Sequence, residues 1–464
     1  MAEVRFCGAC GSVTGSSTLL EWGGTKLLVD CGLYQGDDDL EQRNWRSFHF
    51  SPHELDAVVL THAHLDHTGL LPRLVAERFE GPVYCSKASR GLVSLILQDA
   101  GHLQEEQAHF ARKKGYSRHP EPEPLYTAKD ARQTLKLIRP LPFDHSHEII
   151  PGIHLRFRRA GHLLGAASLE IQAKGSDGKR RNWLFSGDVG RYDVPIIKDP
   201  EPPLDAPDTL VLESTYGDRQ HRDTDPEAAF QELIRRVFQR GGMVIVPAFA
   251  LGRTQEVLYH LSQLVDDGDL DPNDVFLDSP MAIRATELYS QAKAEHDEDL
   301  QELVEQHLNP LDPDRFERCR SAEQSKALNH RREPAVIVAA SGMATGGRVV
   351  HHLKRRLSNE RNAVVFVGYQ AAGTRGRALV DGAQMVAIHG DAIPVRAEVL
   401  QLHGLSAHAD QDELLRWAQA LPSRPRRIFL NHGEDPPRKT LAAALVGAGH
   451  TRPNLPLTGD MVPW

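Results

Sequence analysis

Thr61-His62-Ala63-His64-Leu65-Asp66-His67 ends the apolar run of residues 56–61, and this stretch indicates the fold. The run has the composition of a buried strand, and the apolar side chains of residues 70–79 have helical spacing. Three imidazoles and a carboxylate cannot all be buried without partners, because the desolvation cost would be large. A turn after the strand can direct His62 and His64 towards one metal ion and Asp66 and His67 towards another. The alternative interpretation, a solvated polar loop, fits poorly between a buried strand and a helix.

Three further candidate ligands stand at the ends of predicted strands. His162 follows residues 153–159, Asp188 follows residues 182–186, and His432 follows residues 427–431. Taken alone, each is more often a hydrogen-bonded structural residue than a ligand. Together with the first motif they form a set of histidines and aspartates that can hold two metal ions with one bridging carboxylate. Nitrogen-rich ligation without thiolate favours Zn²⁺, and Mn²⁺ is also compatible.

A metal pair of this kind implies hydrolysis. Two adjacent ions can deprotonate a bridging water and stabilise the oxygens of an in-line displacement at phosphorus. They would also supply positive charge, since the chain has a formal net charge of -9 and shows no basic excess typical of a nucleic-acid binder.

Composition is that of an ordinary globular protein. The chain has 464 residues, of which 40% are hydrophobic and 25% charged, so two or three domains are expected. No charged segment followed by an apolar one opens the sequence, and no apolar run approaches the ~20 residues of a membrane span. We therefore expect a cytoplasmic protein without membrane contact.

The five cysteines do not form a disulfide framework. Cys7 and Cys10 form a lone CxxC, which could be half of a zinc site or a redox pair, but no second CxxC or nearby histidine completes it. We interpret the pair as small residues in a glycine-rich turn. The sparse, odd set indicates a reducing compartment.

The predicted pattern of strands and helices changes twice along the chain. Residues 17–22 and 26–30, separated by Gly23-Gly24, predict a hairpin, and further strands are expected over 168–173. From residue 209 onwards strands alternate with helices, which predicts a doubly wound parallel sheet. Residues 297–334 are polar and predict helix and surface loop. The tail, with a strand over 397–403 and a helix over 411–420, returns to the earlier pattern.

The motifs around these ligands resemble the metallo-β-lactamase superfamily. The resemblance implies an αββα sandwich in which His62, His64 and His162 hold one zinc, Asp66, His67 and His432 hold the other, and Asp188 bridges them. It also implies that Asp30, in Leu27-Leu28-Val29-Asp30-Cys31-Gly32, orients the ligand loop from outside the ligand set. One departure is Cys10, because acidic residues are common at this position in the family.

The rest of the chain resembles the β-CASP branch of that superfamily, whose members process nucleic acids. Glu213 in Leu212-Glu213-Ser214-Thr215-Tyr216-Gly217-Asp218 and His408 in Leu405-Ser406-Ala407-His408-Ala409-Asp410 match two of its motifs. The third motif carries histidine, here His432, in RNA-processing members. The resemblance is strongest to the bacterial and archaeal homologues of the nuclease subunit of the mRNA 3′-end cleavage complex. It implies a metallo-β-lactamase domain over residues 1–208 and 396–464, with a β-CASP domain inserted at 209–395 and the active site in the cleft between them.

Four residues are expected to act in the reaction. They are Asp66, Asp188, Glu213 and His408. His408 is the natural general acid, and Glu213 would hold its imidazole charged and oriented. The alternative for His408 is a core or capping histidine.

Substrate contacts are expected in the inserted domain. The backbone of Ser341, Gly342, Thr345 and Gly346, between a strand and a helix, could receive a phosphate, or simply form a tight turn. Lys354, Arg355 and Arg356 form a basic run that would guide RNA if it faces the cleft and would otherwise be a solvated helix face.

The sequence therefore predicts a two-zinc ribonuclease for single-stranded RNA, acting as an endonuclease, with 5′-exonuclease action also open. Two alternatives remain: a small-molecule hydrolase of the same fold, which would not need Glu213 and His408, and a non-catalytic RNA-binding scaffold, which would hold no stoichiometric zinc. A homodimer is one candidate assembly.

Overall fold

The computed structural model of the chain describes residues 2–114, 122–174, 178, 180–221, 225–312, 314–371 and 373–463. Within these residues the strands, in chain order, are β1 (Ala2–Phe6), β2 (Thr18–Trp22), β3 (Thr25–Val29), β4 (Ala57–Val59), β5 (Val83–Ser86), β6 (Ile138–Leu141), β7 (His147–Ile150), β8 (Ile153–Arg159), β9 (Ala167–Lys174), β10 (Arg180–Phe185), β11 (Thr209–Leu212), β12 (Met243–Pro247), β13 (Val275–Leu277), β14 (Glu317–Arg318), β15 (Ala335–Ala339), β16 (Ala363–Phe366), β17 (Met385–Ile388), β18 (Asp391–Pro394), β19 (Glu398–Gln401), β20 (Arg427–Leu430) and β21 (Met461–Pro463).

The α-helices of the same residues are α1 (Asp38–Arg43), α2 (Leu65–Thr68), α3 (Leu71–Ala76), α4 (Ser89–Lys114), α5 (Ala128–Leu137), α6 (Pro226–Gln239), α7 (Arg253–Asp266), α8 (Pro280–Gln291), α9 (Glu298–Glu305), α10 (Ala322–Ala327), α11 (Arg348–Arg356), α12 (Arg375–Val380), α13 (Gln411–Gln419) and α14 (Asp435–Gly447). No helix among the described residues is both long enough and apolar enough to span a bilayer.

The chain divides into two compact units. Unit 1 contains residues 1–192, 199–220 and 408–464, and unit 2 contains residues 193–198 and 221–407. The strand β11, at the start of the predicted inserted domain, pairs with β10 and β20 inside unit 1. The predicted boundaries at 208/209 and 395/396 stay a prediction.

Unit 1 is a two-sheet sandwich covered by helices. One sheet has the order β21-β1-β2-β3-β4-β5-β6 and the other β20-β11-β10-β9-β8-β7. Alternation of side chains along each strand fills the space between the sheets: Trp183 and Phe185 of β10 join a core with Leu27 and Val59 of the opposite sheet. The intervening Leu184 points the other way and packs with the helices α13 and α14. The predicted αββα fold is confirmed.

Unit 2 contains a six-stranded sheet of order β14-β13-β15-β12-β16-β19, in which every described pairing is parallel. Its four inner strands, β13, β15, β12 and β16, are continuous apolar runs, such as Ala335–Ala339, because both of their faces are buried. Val336 and Val338 contribute to the core on one face, and Ile337 contributes to the core on the other. The predicted doubly wound β-CASP domain is therefore confirmed.

The structure also contains elements that the hydrophobic pattern did not indicate. The polar segment 297–334 supplies the two-residue edge strand β14, which pairs with β13. The strands β17 and β18 form a separate hairpin whose turn, His389-Gly390, has positive φ at both residues. Short, half-exposed strands carry too few apolar residues to show a clear period.

Candidate metal centre

The loop that carries the first motif leaves strand β4 and enters the short helix α2. Three backbone hydrogen bonds hold it: Ser16 N donates to Asp66 O (2.8 Å), Cys31 N to His67 O (2.8 Å) and Leu33 N to Leu65 O (2.8 Å). The approach is so close that a Cβ on Gly32 would lie 1.6 Å from the carbonyl oxygen of Asp66. The glycine between Cys31 and Leu33 is therefore required for the loop to sit where it does.

Four of the predicted ligands form the first set, and their candidate ligand atoms lie within 4.8 Å of one another: His62, His64, His162 and Asp188. His64 Nδ1 lies 3.1 Å from His62 Nε2 and 3.2 Å from His162 Nε2. Asp188 Oδ2 lies 3.5 Å from His62 Nε2 and 3.7 Å from His162 Nε2.

The second set shares Asp188 and adds Asp66, His67 and His432. Asp188 presents its other oxygen here, since Oδ1 lies 3.3 Å from His67 Nε2. His432 Nε2 lies 3.2 Å from His67 Nε2 and 3.4 Å from Asp66 Oδ2. The structure thus brings all seven predicted ligands together and divides them as the resemblance implies, with Asp188 common to both sets.

These spacings fit a metal ion in each set. A tetrahedral ion with bonds of about 2.0–2.1 Å holds its ligand atoms about 3.3 Å apart. The nitrogen–nitrogen contacts within the sets have this length, although two unprotonated ring nitrogens gain nothing from each other. Asp188 Oδ1 is buried and accepts no hydrogen bond from the part of the chain that the structure describes. A buried carboxylate oxygen of this kind needs a positive partner, which a metal ion or a protonated His67 at 3.3 Å would supply.

The proton affinities of four candidate ligands, His62, His64, Asp66 and Asp188, favour metal binding. Burial is the main reason why the pKa of His62 falls well below its usual value and that of His64 falls to about 4. Both rings are therefore neutral, as ligation requires. Burial alone would raise the pKa of Asp66, but His432 and His67 lower it to about 2. Burial acts likewise on Asp188, and His432, His67 and His62 lower its pKa well below the usual range.

Asp30 orients His67 from behind the cluster. Its carboxylate lies 2.7 Å from His67 Nδ1 and accepts hydrogen bonds from Thr61 N (2.8 Å) and Thr61 Oγ1 (2.9 Å). Asp30 itself has a φ of 60°, which a non-glycine residue adopts at some energetic cost. Burial lowers the pKa of His67, but the Asp188 and Asp30 carboxylates outweigh it and raise that pKa well above normal. The contact of Nδ1 with Asp30 turns Nε2 of His67 towards the second set, where a bound ion would displace the Nε2 proton.

His408 and Glu213 form a pair beside the ligand sets. His408 Nδ1 lies 3.1 Å from Glu213 Oε1, and its Nε2 lies 4.0 Å from Asp188 Oδ2. Glu213 is buried and accepts hydrogen bonds from Val189 N (2.8 Å) and Thr215 N (3.1 Å). Burial lowers the pKa of His408, but Glu213 overcomes this and raises it to about 9, with smaller contributions from Asp188 and Asp66. Nε2 of the protonated His408 imidazole therefore faces Asp188 and the two ligand sets.

The turn that holds His432 is fixed by the glycine-rich N-terminal loop. His432 has a φ of 49°, and its backbone N donates to Ala9 O at 2.9 Å. Cys10 forms an isolated bridge with Gly433 next to it. Neither Cys7 nor Cys10 belongs to the two ligand sets, and burial raises the pKa of each thiol to about 12. The glycine-rich loop is thus a support for His432, with inert thiols.

Thr61 and Thr215 are positioning residues that the motifs alone did not reveal. Thr61 Oγ1 lies 3.1 Å from His62 Nδ1, and Thr215 Oγ1 lies 3.2 Å from His432 Nδ1. The sequence signal for them was weak: Thr61 directly precedes His62, and Thr215 stands two residues after Glu213. Such hydroxyls fix the ring orientation of ligand histidines.

The predicted substrate residues lie in unit 2, partly between β15 and α11 and, for Lys354 and Arg355, in the last turn of α11. Ser341 Oγ accepts a hydrogen bond from Thr345 N (3.2 Å), while Gly342 is buried and Thr345 and Gly346 are exposed. Arg355 is exposed, whereas Lys354 Nζ pairs with Asp391 Oδ2 at 2.6 Å.

Arg356, the last residue of the basic run, is buried and donates to Leu328 O at 2.6 Å. Its guanidinium therefore lies in the protein interior, and we no longer include Arg356 among the residues expected to guide RNA.

Three family models match the chain. The Metallo-beta-lactamase superfamily model matches residues 11–247, the Beta-Casp domain model residues 254–379, and the model described as "Zn-dependent metallo-hydrolase RNA specificity domain" residues 392–456.

Among similar proteins, the Thermus thermophilus protein named Ribonuclease TTHA0252 is 40% identical over 92% of this chain and 92% of its own length. Proteins named Transcription termination factor FttA are 32% identical in Methanocaldococcus jannaschii and 33% in Methanosarcina mazei, over 93% and 96% of this chain. The match spans 67% and 68% of those two proteins. A solved structure, a protein of unknown function from Enterococcus faecalis V583, matches with a TM-score of 0.54 at 13% identity, over 99% of both chains, which supports the fold alone.

Proposed function

Because the chain belongs to the β-CASP branch of the metallo-β-lactamase superfamily, a family of metal-dependent hydrolases, we propose that it is a ribonuclease that cleaves single-stranded RNA with two bound ions. Zn²⁺ is the ion we propose, with Mn²⁺ as a substitute, since the donor set is rich in imidazole. The observation that carries the proposal is the bridging position of Asp188, with one oxygen towards each ligand set.

Each side chain has a defined task in this mechanism. His62, His64, His162 and Asp188 would hold one ion, and Asp66, His67, His432 and Asp188 the other. When bound, such ions lower the pKa of a water and stabilise the oxygens of an in-line displacement at phosphorus. Asp30 keeps His67 in the tautomer that presents Nε2 to the ion.

His408 completes the reaction on the leaving side. A water oxygen forms the new bond to phosphorus, the bond to the leaving sugar oxygen breaks, and that oxygen takes the proton from His408 Nε2. The proton of the water passes to solvent. Glu213 stabilises the imidazolium through Nδ1 at 3.1 Å, which keeps the proton available at neutral pH.

The proposal includes contacts between RNA and unit 2. We propose that Ser341, Gly342, Thr345 and Gly346 receive a phosphate and that Lys354 and Arg355 contact the RNA backbone.

The proposal also includes the cellular compartment. All five cysteines are free thiols, which fits a reducing compartment, and we propose that the enzyme is cytoplasmic. Endonucleolytic cutting, 5′-exonuclease action and a homodimer stay predictions.

The deciding experiment uses RNA labelled at the 5′ or the 3′ end, single-stranded or in a hairpin. We expect metal-dependent cutting of the single-stranded RNA, loss of cutting after chelation, and recovery when Zn²⁺ or Mn²⁺ is added back. Asp188→Asn is the inactive comparison. A protein that holds stoichiometric metal but cuts no RNA, while hydrolysing a thioester or lactam, would be a small-molecule hydrolase. RNA binding without metal and without cutting would identify a scaffold.

A further inference from the structure

Arg219 and Tyr216 form a stacked pair beside His408 that the mechanism above does not use. The Cζ atom of Arg219 lies 4.9 Å from the ring centroid of Tyr216. The Tyr216 ring in turn meets His408 at a centroid distance of 5.9 Å and an interplanar angle of 86°. Tyr216 is buried, but the Arg219 side chain is 54% exposed. A cation therefore reaches solvent one aromatic ring away from the proposed general acid.

The backbone fixes this pair relative to His408. Tyr216 forms an isolated parallel bridge with Asp410, two residues after His408. Arg219 N donates to Tyr216 O (3.2 Å), and Arg219 O accepts from Gln411 N (3.0 Å). The turn from Tyr216 to Arg219 and the segment from His408 to Gln411 are thus tied to each other at two points. The position of the Arg219 cation beside the proposed acid is set by the fold of unit 1.

The guanidinium of Arg219 is able to bind another anion. Among the described residues, its hydrogen bond is from Nε to Oδ1 of the adjacent Asp218, at 3.3 Å. An exposed ion pair of this kind contributes little free energy, so a phosphate can take over the interaction. The planar group matches two phosphate oxygens, and stacking on Tyr216 limits the freedom it would lose on binding.

We propose that Arg219 binds the RNA phosphate next to the cleaved bond on the leaving-group side, with Tyr216 as the positioning residue. This inference rests on the proposed function, because His408 marks the leaving side by protonating the leaving oxygen. Arg219 would thereby hold the fragment whose sugar oxygen His408 protonates. The chain's formal charge of -9 makes such a local cation more important for RNA binding.

The test compares the metal-loaded wild type with Arg219→Gln on short single-stranded RNAs whose cut site has been mapped. We expect KM to rise about 5-fold with kcat nearly unchanged. For binding to an RNA made resistant by a methylphosphonate at the cut site, the slope of log K against log salt should fall by about 0.7. Arg235→Gln is the matched control, because Arg235 is 56% exposed and pairs with its neighbour Glu232.

A second arm locates the interaction. A neutral methylphosphonate at the adjacent position on the leaving side should weaken the wild type about as much as Arg219→Gln does, and should not weaken the variant further. The same change on the other side of the cut should weaken both proteins equally. Unchanged KM and salt slope in Arg219→Gln, or additive losses on the leaving side, would overturn the inference. A wild type that cuts no RNA would instead overturn the proposed function.

Discussion

At the residue scale, the proposed two-ion site depends on Asp188. Its two oxygens face different ligand sets, and an amide nitrogen cannot replace a carboxylate oxygen as a ligand. We expect the protein purified without chelator to contain two divalent ions per chain, and Asp188→Asn to contain one or fewer. Elemental analysis measures both. Asp205→Asn, which changes a carboxylate outside the ligand sets, should keep both ions. A wild type with one ion or none would contradict the dinuclear assignment.

Variants of His408 test whether its proposed catalytic role is separate from metal binding. Replacing His408 by alanine removes the proposed proton donor, so turnover should fall by about 10²–10⁴ while the metal content stays unchanged. Glu213→Gln should reduce turnover less, because it removes the orienting charge but leaves the imidazole. Rates on labelled RNA and elemental analysis of the same samples provide the comparison, with His154→Ala on strand β8 as the control. Loss of metal in His408→Ala would show that His408 is a ligand.

The sequence placed the seven candidate ligands close together because they follow the ends of β4, β8, β10 and β20, four of them in the loop and helix α2 that come after β4. Their role as ligands stays a prediction. Asp30 could be predicted from its motif as well, and the structure places it against His67. The burial of Arg356 could not be predicted, because a basic run on a helix does not reveal which of its members turns inward. Thr61 and Thr215 escaped notice because a single hydroxyl has no pattern of its own.

At the element scale, helix α11 divides its basic residues between solvent and interior. Lys354 and Arg355 remain able to meet a phosphate, although Lys354 would first have to leave Asp391. Changing both to alanine should weaken binding to all RNA sequences similarly and lower the salt slope by about 0.7 for each phosphate that the helix no longer binds. Fluorescence anisotropy over a range of salt concentrations measures this. Binding identical to that of the wild type at every salt concentration would remove the helix from the RNA path.

Arg356→Ala should behave differently from that double variant. It removes one of the two donors to the carbonyl of Leu328, the other being Arg331 N, and it opens space in the interior, so its main effect is a loss of stability of about 2–4 kcal/mol. Thermal unfolding should show the loss, whereas the RNA salt slope of the folded variant should stay unchanged.

Asp278 joins three elements of unit 2 and makes their stability depend on pH. The buried carboxylate follows β13 and accepts hydrogen bonds from Ser325 (2.6 Å), Arg348 (2.7 Å) and His352 (2.6 Å). Burial alone would raise the pKa of Asp278, but the hydrogen bonds from these residues lower it. A lowered carboxyl pKa stabilises the fold above the unfolded value of about 3.9, and the contribution is lost as pH falls through the folded value.

Asp278→Asn should therefore destabilise the protein by about 3 kcal/mol at pH 7. This gap, the difference in unfolding free energy between the wild type and the variant, should narrow below about pH 4. Thermal unfolding followed by circular dichroism between pH 3.5 and 7 measures the gap. Asp381→Asn, which affects an exposed ion pair with Arg377, should show almost no gap. A difference from the wild type that is constant over this pH range would show that the Asp278 charge is not what stabilises the network.

The elements with a strong apolar period, such as the strands of the parallel sheet, were predictable from sequence. The hairpin β17–β18 and the strand β14 were not, because their pairing partners, rather than their own composition, make them strands. Tertiary contacts override weak local propensity in such cases.

At the scale of the whole molecule, the alternation of helices and strands predicted the class of each domain, but domain boundaries depend on packing. Strand β11 belongs by its pairing to the sandwich of unit 1, although its sequence resembles the strands of the α/β region that follows. A buried apolar strand looks the same whichever sheet receives it, so the local sequence does not locate the boundary.

Each unit contains apolar cores of its own, and among the described residues the two ligand sets lie in unit 1, so metal removal should affect the two units unequally. An ion that binds only the folded unit and is present at a free concentration of about 1,000 times its Kd stabilises that unit by roughly 4 kcal/mol. Calorimetry of the metal-loaded protein and of the protein dialysed against chelator should show two transitions. The midpoint temperature of the unit 1 transition should fall by roughly 10 °C without metal, and the midpoint of the unit 2 transition should stay unchanged. His162→Asn, which removes one ligand, should already show most of that decrease when metal is present. A single transition, or equal shifts of both, would mean that the metal centre stabilises the chain as one cooperative body.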